Sequence, residues 1–210
     1  MVESAALEKR YACKGIEGSN PSLSARIRSM STQKESVVFG GGCFWCTEAV
    51  FNQFQGVESV VSGYAGGRTE LTNYEAVSTG KTGHAEVIKV EYDPGVITFE
   101  QLLDIFFTAH DPTTVNRQGN DVGEQYRSVI LCATDQQKNQ AEAYIKKLND
   151  ENVFGARVVT HVEMLKEFTK AETYHQQYYQ KNPDKPYCQV VINPKVSKIR
   201  AKYAHLLKKA

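Results

Sequence analysis

Three consecutive glycines, Gly40-Gly41-Gly42, stand between the apolar run Val37-Val38-Phe39 and a segment with apolar residues at Cys46, Ala49, Val50 and Phe54. The first run reads as a short buried strand and the second as one face of a helix, so the glycines must turn the backbone sharply from one to the other. That turn puts Cys43 at the start of the helix, where unpaired N–H groups and the dipole favour an anion. A thiol there is expected to ionise readily, its pKa of about 8.5 falling to roughly 3.5–7.5. A buried structural cysteine is the commoner fate of a lone Cys; the glycine run and the adjacent Phe44-Trp45 weigh against it. Both aromatics lie beside the stripe that Val50 and Phe54 continue, where they can wall an apolar pocket suited to sulfur and methyl groups. Phe44 reads equally well as ordinary core.

Further along, strands are predicted over residues 57–64, 84–92, 126–133 and 157–164. Thr98 and Gln101 form a capping box before Leu102, Ile105, Phe106 and Ala109 at helical spacing. Asp135 is expected to cap a helix bearing Ala141, Tyr144, Ile145 and Leu148, with further helical segments near 167–181 and 195–208. Strands alternating with helices imply a single α+β domain, a mixed β-sheet with helices packed against it. A chain of 210 residues with 41% hydrophobic content can bury one such core. Residues 1–35 lack periodicity and read as a mobile tail, 36–190 as the domain that carries the chemistry, and 191–210 as a C-terminal helical extension. Met30 is an alternative start, and Glu3, Glu8 and Glu17 fit poorly with an organellar targeting segment.

The 25 basic and 24 acidic residues are spread along the chain, so no basic face suggests nucleic acid. No stretch of about 18 apolar residues predicts a membrane span, and the first residues lack a secretory apolar core. A monomeric, cytoplasmic protein without cofactor or metal is expected. Five cysteines, Cys13, Cys43, Cys46, Cys132 and Cys188, are too few and too uneven for a secreted disulfide scaffold, which leaves redox catalysis or metal binding.

In the strand beginning at His84, one face carries His84, Glu86, Ile88, Val90 and Tyr92, and the other Ala85, Val87, Lys89 and Glu91. Glu86 therefore lies among apolar neighbours, where desolvation raises a carboxyl pKa and lets it hold a proton for general acid catalysis. An ion pair with Arg127 is the structural alternative.

Gly42-Cys43-Phe44-Trp45 resembles the Gly-Cys-Phe-Trp signature of the A-type peptide methionine sulfoxide reductases. Ser62-Gly63-Tyr64-Ala65-Gly66-Gly67, Tyr74, Thr82-Gly83-His84-Ala85-Glu86, His110-Asp111-Pro112-Thr113, Asn116-Arg117-Gln118-Gly119-Asn120-Asp121 and Gln125-Tyr126-Arg127-Ser128 are similar to further motifs of that family, in the same order. The resemblance covers roughly residues 36–190. It implies reduction of methionine S-sulfoxide, free or in proteins, with Cys43 as nucleophile and Glu86 as the acid that protonates the sulfoxide oxygen. It further implies that Tyr74 and Tyr126 hydrogen-bond that oxygen and that Asp121 orders the pocket, with thioredoxin or a similar dithiol as reductant. His110 and His175 read as structural.

Attack by Cys43 is expected to leave a sulfenic acid, which condenses with a second thiol. Cys46 completes a Cys-x-x-Cys pair where many family members carry glycine. Cys188 follows a Pro-rich turn near a flexible C-terminal region, and its place resembles that of the family's resolving cysteine; both stay open. Cys132 reads as core, and Cys13 as inert. A general thiol-disulfide oxidoreductase would also use the Cys43–Cys46 pair, and Cys46→Ser would inactivate it but spare a single turnover of a sulfoxide reductase. A zinc module using Cys43, Cys46, Cys188 and a histidine would need further ligands at matched spacing, and the sequence has no second Cys-x-x-Cys.

Overall fold

The computed structural model describes residues 34–68 and 70–209. Residues 1–33 of the expected N-terminal tail, with Cys13 and Met30, lie outside the described residues, and Glu35 at its end opens the first strand. Strand β1 (Glu35–Gly40) leads through Gly41 and Gly42 into helix α1 (Phe44–Phe51), followed by β2 (Val57–Ala65), α2 (Tyr74–Ser78), β3 (Ala85–Tyr92) and α3 (Phe99–Ala109). A small hairpin of β4 (Arg117–Gln118) and β5 (Asp121–Val122) precedes β6 (Val129–Cys132), α4 (Asp135–Asp150), β7 (His161–Met164), β8 (Phe168–Lys170), α5 (Tyr178–Lys181) and α6 (Asn193–Lys202).

The main sheet has six strands in the order β7-β6-β1-β3-β2-β8. Every neighbouring pair is antiparallel except β6 and β7, which run parallel, so the sheet is mixed as expected. Period-two alternation sorts the side chains. Val37, Phe39, Ile88, Val90 and Tyr92 join the large core built with the helices, whereas Val38, Ala85, Val87, Val129 and Leu131 form a smaller cluster apart from it. Phe39 stacks between Phe51 of α1, at 5.2 Å, and Phe106 of α3, at 4.8 Å, which seats both helices on the same strand. Val196, Ile199 and Tyr203, in and after α6, enter this same core.

Local chemistry explains most elements. The Thr98 capping box starts α3, with Thr98 Oγ1 accepting from Gln101 N at 3.2 Å and Gln101 Oε1 accepting from Thr98 N at 2.8 Å. Thr134, rather than Asp135, caps α4 by accepting from Gln137 N. The strand expected over 126–133 begins only at Val129, because Gly123 turns the chain into a 3₁₀ turn over Glu124–Tyr126. The strand expected over 157–164 is confined to His161–Met164. Residues 167–181, expected to be helical, instead supply β8, a 3₁₀ turn over Thr173–His175 and the four-residue α5. Tertiary pairing decides this: β8 closes on the edge of β2 with Gly63 opposite Lys170, and a methyl group at Gly63 would collide with the Phe168 ring and the Thr169 carbonyl. Among the described residues no helix is long and apolar enough to cross a membrane.

Candidate active site

Cys43 occupies the N-cap position of α1 at φ −56°, ψ 125° without a side-chain cap bond, and the turn into it depends on Gly42, whose φ of +89° is left-handed. A Cβ at Gly42 would strike the Gln118 side chain. Gln118 lies on β4, so this close approach seats the β4–β5 hairpin over the start of α1 and carries Asp121 towards the cysteines. Behind the turn, Gly41 packs against Phe106 and His110. His110 is structural, as read from the sequence: its ring nitrogens bond Phe106 O at 2.7 Å and Ser128 Oγ at 2.8 Å, and burial pushes its pKa down to about 4.

Strand β3 delivers Glu86 from the other side. Its carboxyl is 3% exposed, and Oε2 accepts the Phe44 N–H, among the first free donors of α1, at 3.1 Å. Arg127 makes no ion pair with it; the guanidinium donates instead to the carbonyls of Gly66, Gly83 and Glu124. Tyr74 at the start of α2 and Tyr126 in the 3₁₀ turn both feel the charges of Glu86 and Cys43. Cys43, Glu86, Tyr74, Tyr126 and Asp121 thus converge from five separate segments.

Phe44 and Trp45 build an aromatic wall. Phe44 is buried, 4.9 Å from the His175 ring and 5.9 Å from Tyr64. Trp45 is half-buried, donates from Nε1 to His175 Nδ1 at 3.1 Å, and lies 3.7 Å from the Tyr178 ring at an interplanar angle of 7°. Tyr74 approaches the same His175 ring at 4.6 Å. A cysteine beside a buried carboxylic acid, two tyrosines and an aromatic wall is fitted to a small apolar group bearing one polar oxygen.

The family model described as peptide methionine sulfoxide reductase matches residues 35–207. The chain belongs to this family. It is 54% identical over 177 residues to the peptide methionine sulfoxide reductase MsrA of Ralstonia nicotianae, covering 82% of this chain and 93% of that protein. Reduced Mxr1 from Saccharomyces cerevisiae is similar in structure, with TM-score 0.70 and 34% identity over 78% of this chain and 94% of that one. The crystal structure of Mxr1 in complex with Trx2 matches with TM-score 0.50 and 25% identity, covering 73% and 91%. The chain is accordingly an oxidoreductase.

Within this reductase the charges are arranged differently from the expectation for Cys43. Its thiol and that of Cys46 interact so strongly that the pair carries one negative charge more easily than two. The interaction with Cys43 pulls Cys46 down to about 7, whereas the interaction with Cys46, followed by burial, holds Cys43 well above the ordinary thiol value. Lys195 and Tyr187 add to the pull on Cys46, whereas the Glu86 charge adds to the rise of Cys43. Burial drives the Glu86 carboxyl up to about 8, against the pull of the Phe44 N–H. Burial, then the Glu86 charge, also raises both Tyr74 and Tyr126, which keeps their hydroxyls protonated as donors.

Cys188 sits elsewhere than the expected flexible segment. It is 0% exposed, opens a π-helical turn over Cys188–Ile192, and its thiol is raised by burial and then by the charge of Cys46. Cys132 is core, as read from the sequence, with burial raising it to about 11. Tyr187 is a site residue that the sequence reading missed. Its hydroxyl lies 3.8 Å from Cys46 Sγ and 3.5 Å from Asp121 Oδ2. His175, read as structural, belongs to the aromatic wall, and Glu172 ties Tyr64 Oη and the Tyr74 N–H together, each at 2.9 Å. The only hint in the sequence was aromatic density from Tyr174 to Tyr187, which has no period to exploit. Among the described residues no group of three or more His, Cys, Asp or Glu side chains is placed to hold a metal ion.

Proposed function

We propose that this reductase acts on the S epimer of methionine sulfoxide, free or in proteins, through a Cys43 sulfenic acid. The observation that carries the reading is Glu86, a buried carboxyl with pKa about 8 next to the start of α1, still protonated at neutral pH. The single negative charge of the reduced pair, held mainly on Cys46, moves to Cys43 as the Cys43 proton passes to Cys46. As the Cys43 thiolate then attacks the sulfoxide sulfur, Glu86 gives its proton to the oxygen, which would otherwise be too basic to depart from sulfur. Tyr74 and Tyr126 donate to the same oxygen, Asp121 orders the pocket, and Phe44 and Trp45 hold the methyl end. The oxygen leaves as hydroxide when the bond between Cys43 Sγ and the substrate sulfur forms, and it then attacks Cys43 Sγ and breaks that bond. The substrate sulfur gains two electrons and Cys43 loses two, yielding thioether and sulfenic acid.

Condensation of the sulfenic acid with the Cys46 thiol releases water and forms a disulfide. Cys46, three residues along the chain and strongly coupled to Cys43 in charge, is the first partner. Cys188 then attacks the disulfide once its segment opens, passing oxidation outward to thioredoxin or a similar dithiol. The similarity to Mxr1, whose crystal structure in complex with Trx2 is known, supports that last step. The enzyme is proposed to work as a cytoplasmic monomer without cofactor.

Single-turnover reduction of the separate epimers tests the specificity, and equal rates for both would end it. Cys43→Ser is expected to abolish reduction even with excess chemical reductant. Peptide mapping of Cys188→Ser after one equivalent of substrate is expected to find a Cys43–Cys46 disulfide; persistent sulfenic acid there would assign resolution to Cys188 alone.

A further inference from the structure

Glu48 has no part in the chemistry above, yet it is a carboxylate buried to 1% exposure on α1, one turn beyond Trp45. Its two oxygens accept consecutive backbone N–H groups from the C-terminal segment: Oε1 from Gln177 at 2.9 Å and Oε2 from Tyr178 at 3.3 Å. Gln177 is held at φ 55°, ψ 37°, a left-handed conformation that is costly for a residue with a Cβ, and its own side chain supplies no cap to α5. The same segment clamps the indole of Trp45 from two directions. Tyr178 covers its face at 3.7 Å, and His175 takes its Nε1 proton at 3.1 Å.

We propose that Glu48 is a positioning residue that fixes the Trp45 wall of the substrate pocket by holding the strained Gln177–Tyr178 backbone against α1. The inference rests on Trp45 lining that pocket. A carboxylate suits the task because both of its oxygens accept; glutamine would keep one acceptor and turn an N–H₂ group towards a backbone N–H. Without the second bond, the left-handed residue relaxes, Tyr178 and His175 move away together, and the indole loses its fixed orientation.

Trp45 is the only tryptophan of the chain, so fluorescence excited at the red edge of absorption, where tyrosine does not absorb, reports on it alone. In the full-length reduced enzyme, Glu48→Gln is expected to raise acrylamide quenching of Trp45 severalfold. The substrate concentration for half-maximal single-turnover rate should rise about tenfold, with the saturating rate within about twofold of the parent. Gln177→Gly in the Glu48→Gln background removes the left-handed strain and is expected to restore much of the shielding. A folded Glu48→Gln enzyme with parental quenching and parental half-saturation overturns the proposal. Trp45→Leu tests the underlying reading by itself: unchanged half-saturation there removes Trp45 from substrate binding, whatever the fluorescence of the Glu48 variant. If Glu48→Gln does not fold, hydrogen exchange in the parent serves instead, with slow exchange of the Gln177 and Tyr178 amides expected and coil-like exchange refuting the proposal.

Discussion

Glu86→Gln separates the catalytic from the energetic consequence of burying an acid. In the folded protein the carboxyl titrates near 8 instead of its ordinary 4.5, so the native state grips the proton more tightly than the unfolded chain does. Stability from this group is therefore fully present at pH below 4.5, falls as pH rises between 4.5 and about 8, and stays low above that. At about 1.4 kcal/mol per pH unit, ionisation of Glu86 lowers native stability by about 5 kcal/mol at alkaline pH, an order-of-magnitude figure for a group 3% exposed. Glutamine keeps an oxygen for the Phe44 N–H and never ionises. Urea unfolding of both proteins at pH 4, 7 and 9 is the assay: similar stabilities are expected at the lowest pH, with the variant ahead by several kcal/mol at the highest. Single-turnover rates of the parent should rise as the Cys43–Cys46 pair ionises and fall as Glu86 loses its proton near 8. The variant should lose about 10²- to 10⁴-fold in the chemical step. A stability gap between variant and parent that does not widen with pH would refute the buried-acid argument, and a flat parental rate above pH 8 would assign proton donation to another group.

Tyr187→Phe removes a hydroxyl that helps lower the Cys46 thiol and is expected to move its ionisation above about 7, read from the ultraviolet absorbance of the thiolate; an unmoved titration would take Tyr187 out of the sulfur environment. Phe106→Ala opens a cavity beside Phe39 and His110 and should cost about 3–5 kcal/mol in denaturant unfolding. Thr98→Ala breaks the capping box of α3 at an exposed position and should cost about 1 kcal/mol, with activity retained under conditions where the protein stays folded.

Local sequence determined the parts of this protein whose physics is local. Three glycines before Cys43 specified the strand-to-helix turn because only residues without a Cβ tolerate Gly42 at φ +89° with Gln118 against it. Alternation along β3 placed Glu86 among apolar neighbours because side chains of a strand point to opposite faces in turn, and the Thr98-x-x-Gln101 capping box marked the start of α3. Tertiary structure decided the rest. Whether residues 167–181 became helix or strand depended on an open edge at Gly63, more than a hundred positions away. The proton distribution between Cys43 and Cys46 turned on their own contact and on charged and polar groups brought from distant segments, Tyr187 and Lys195 to Cys46 and Glu86 to Cys43, which no pattern near Cys43 announces. His175, Tyr178 and Tyr187 became part of the site because Glu48 and Trp45 hold their segment against α1 through bonds spanning about 130 residues, and such contacts leave no periodic trace in the sequence that makes them.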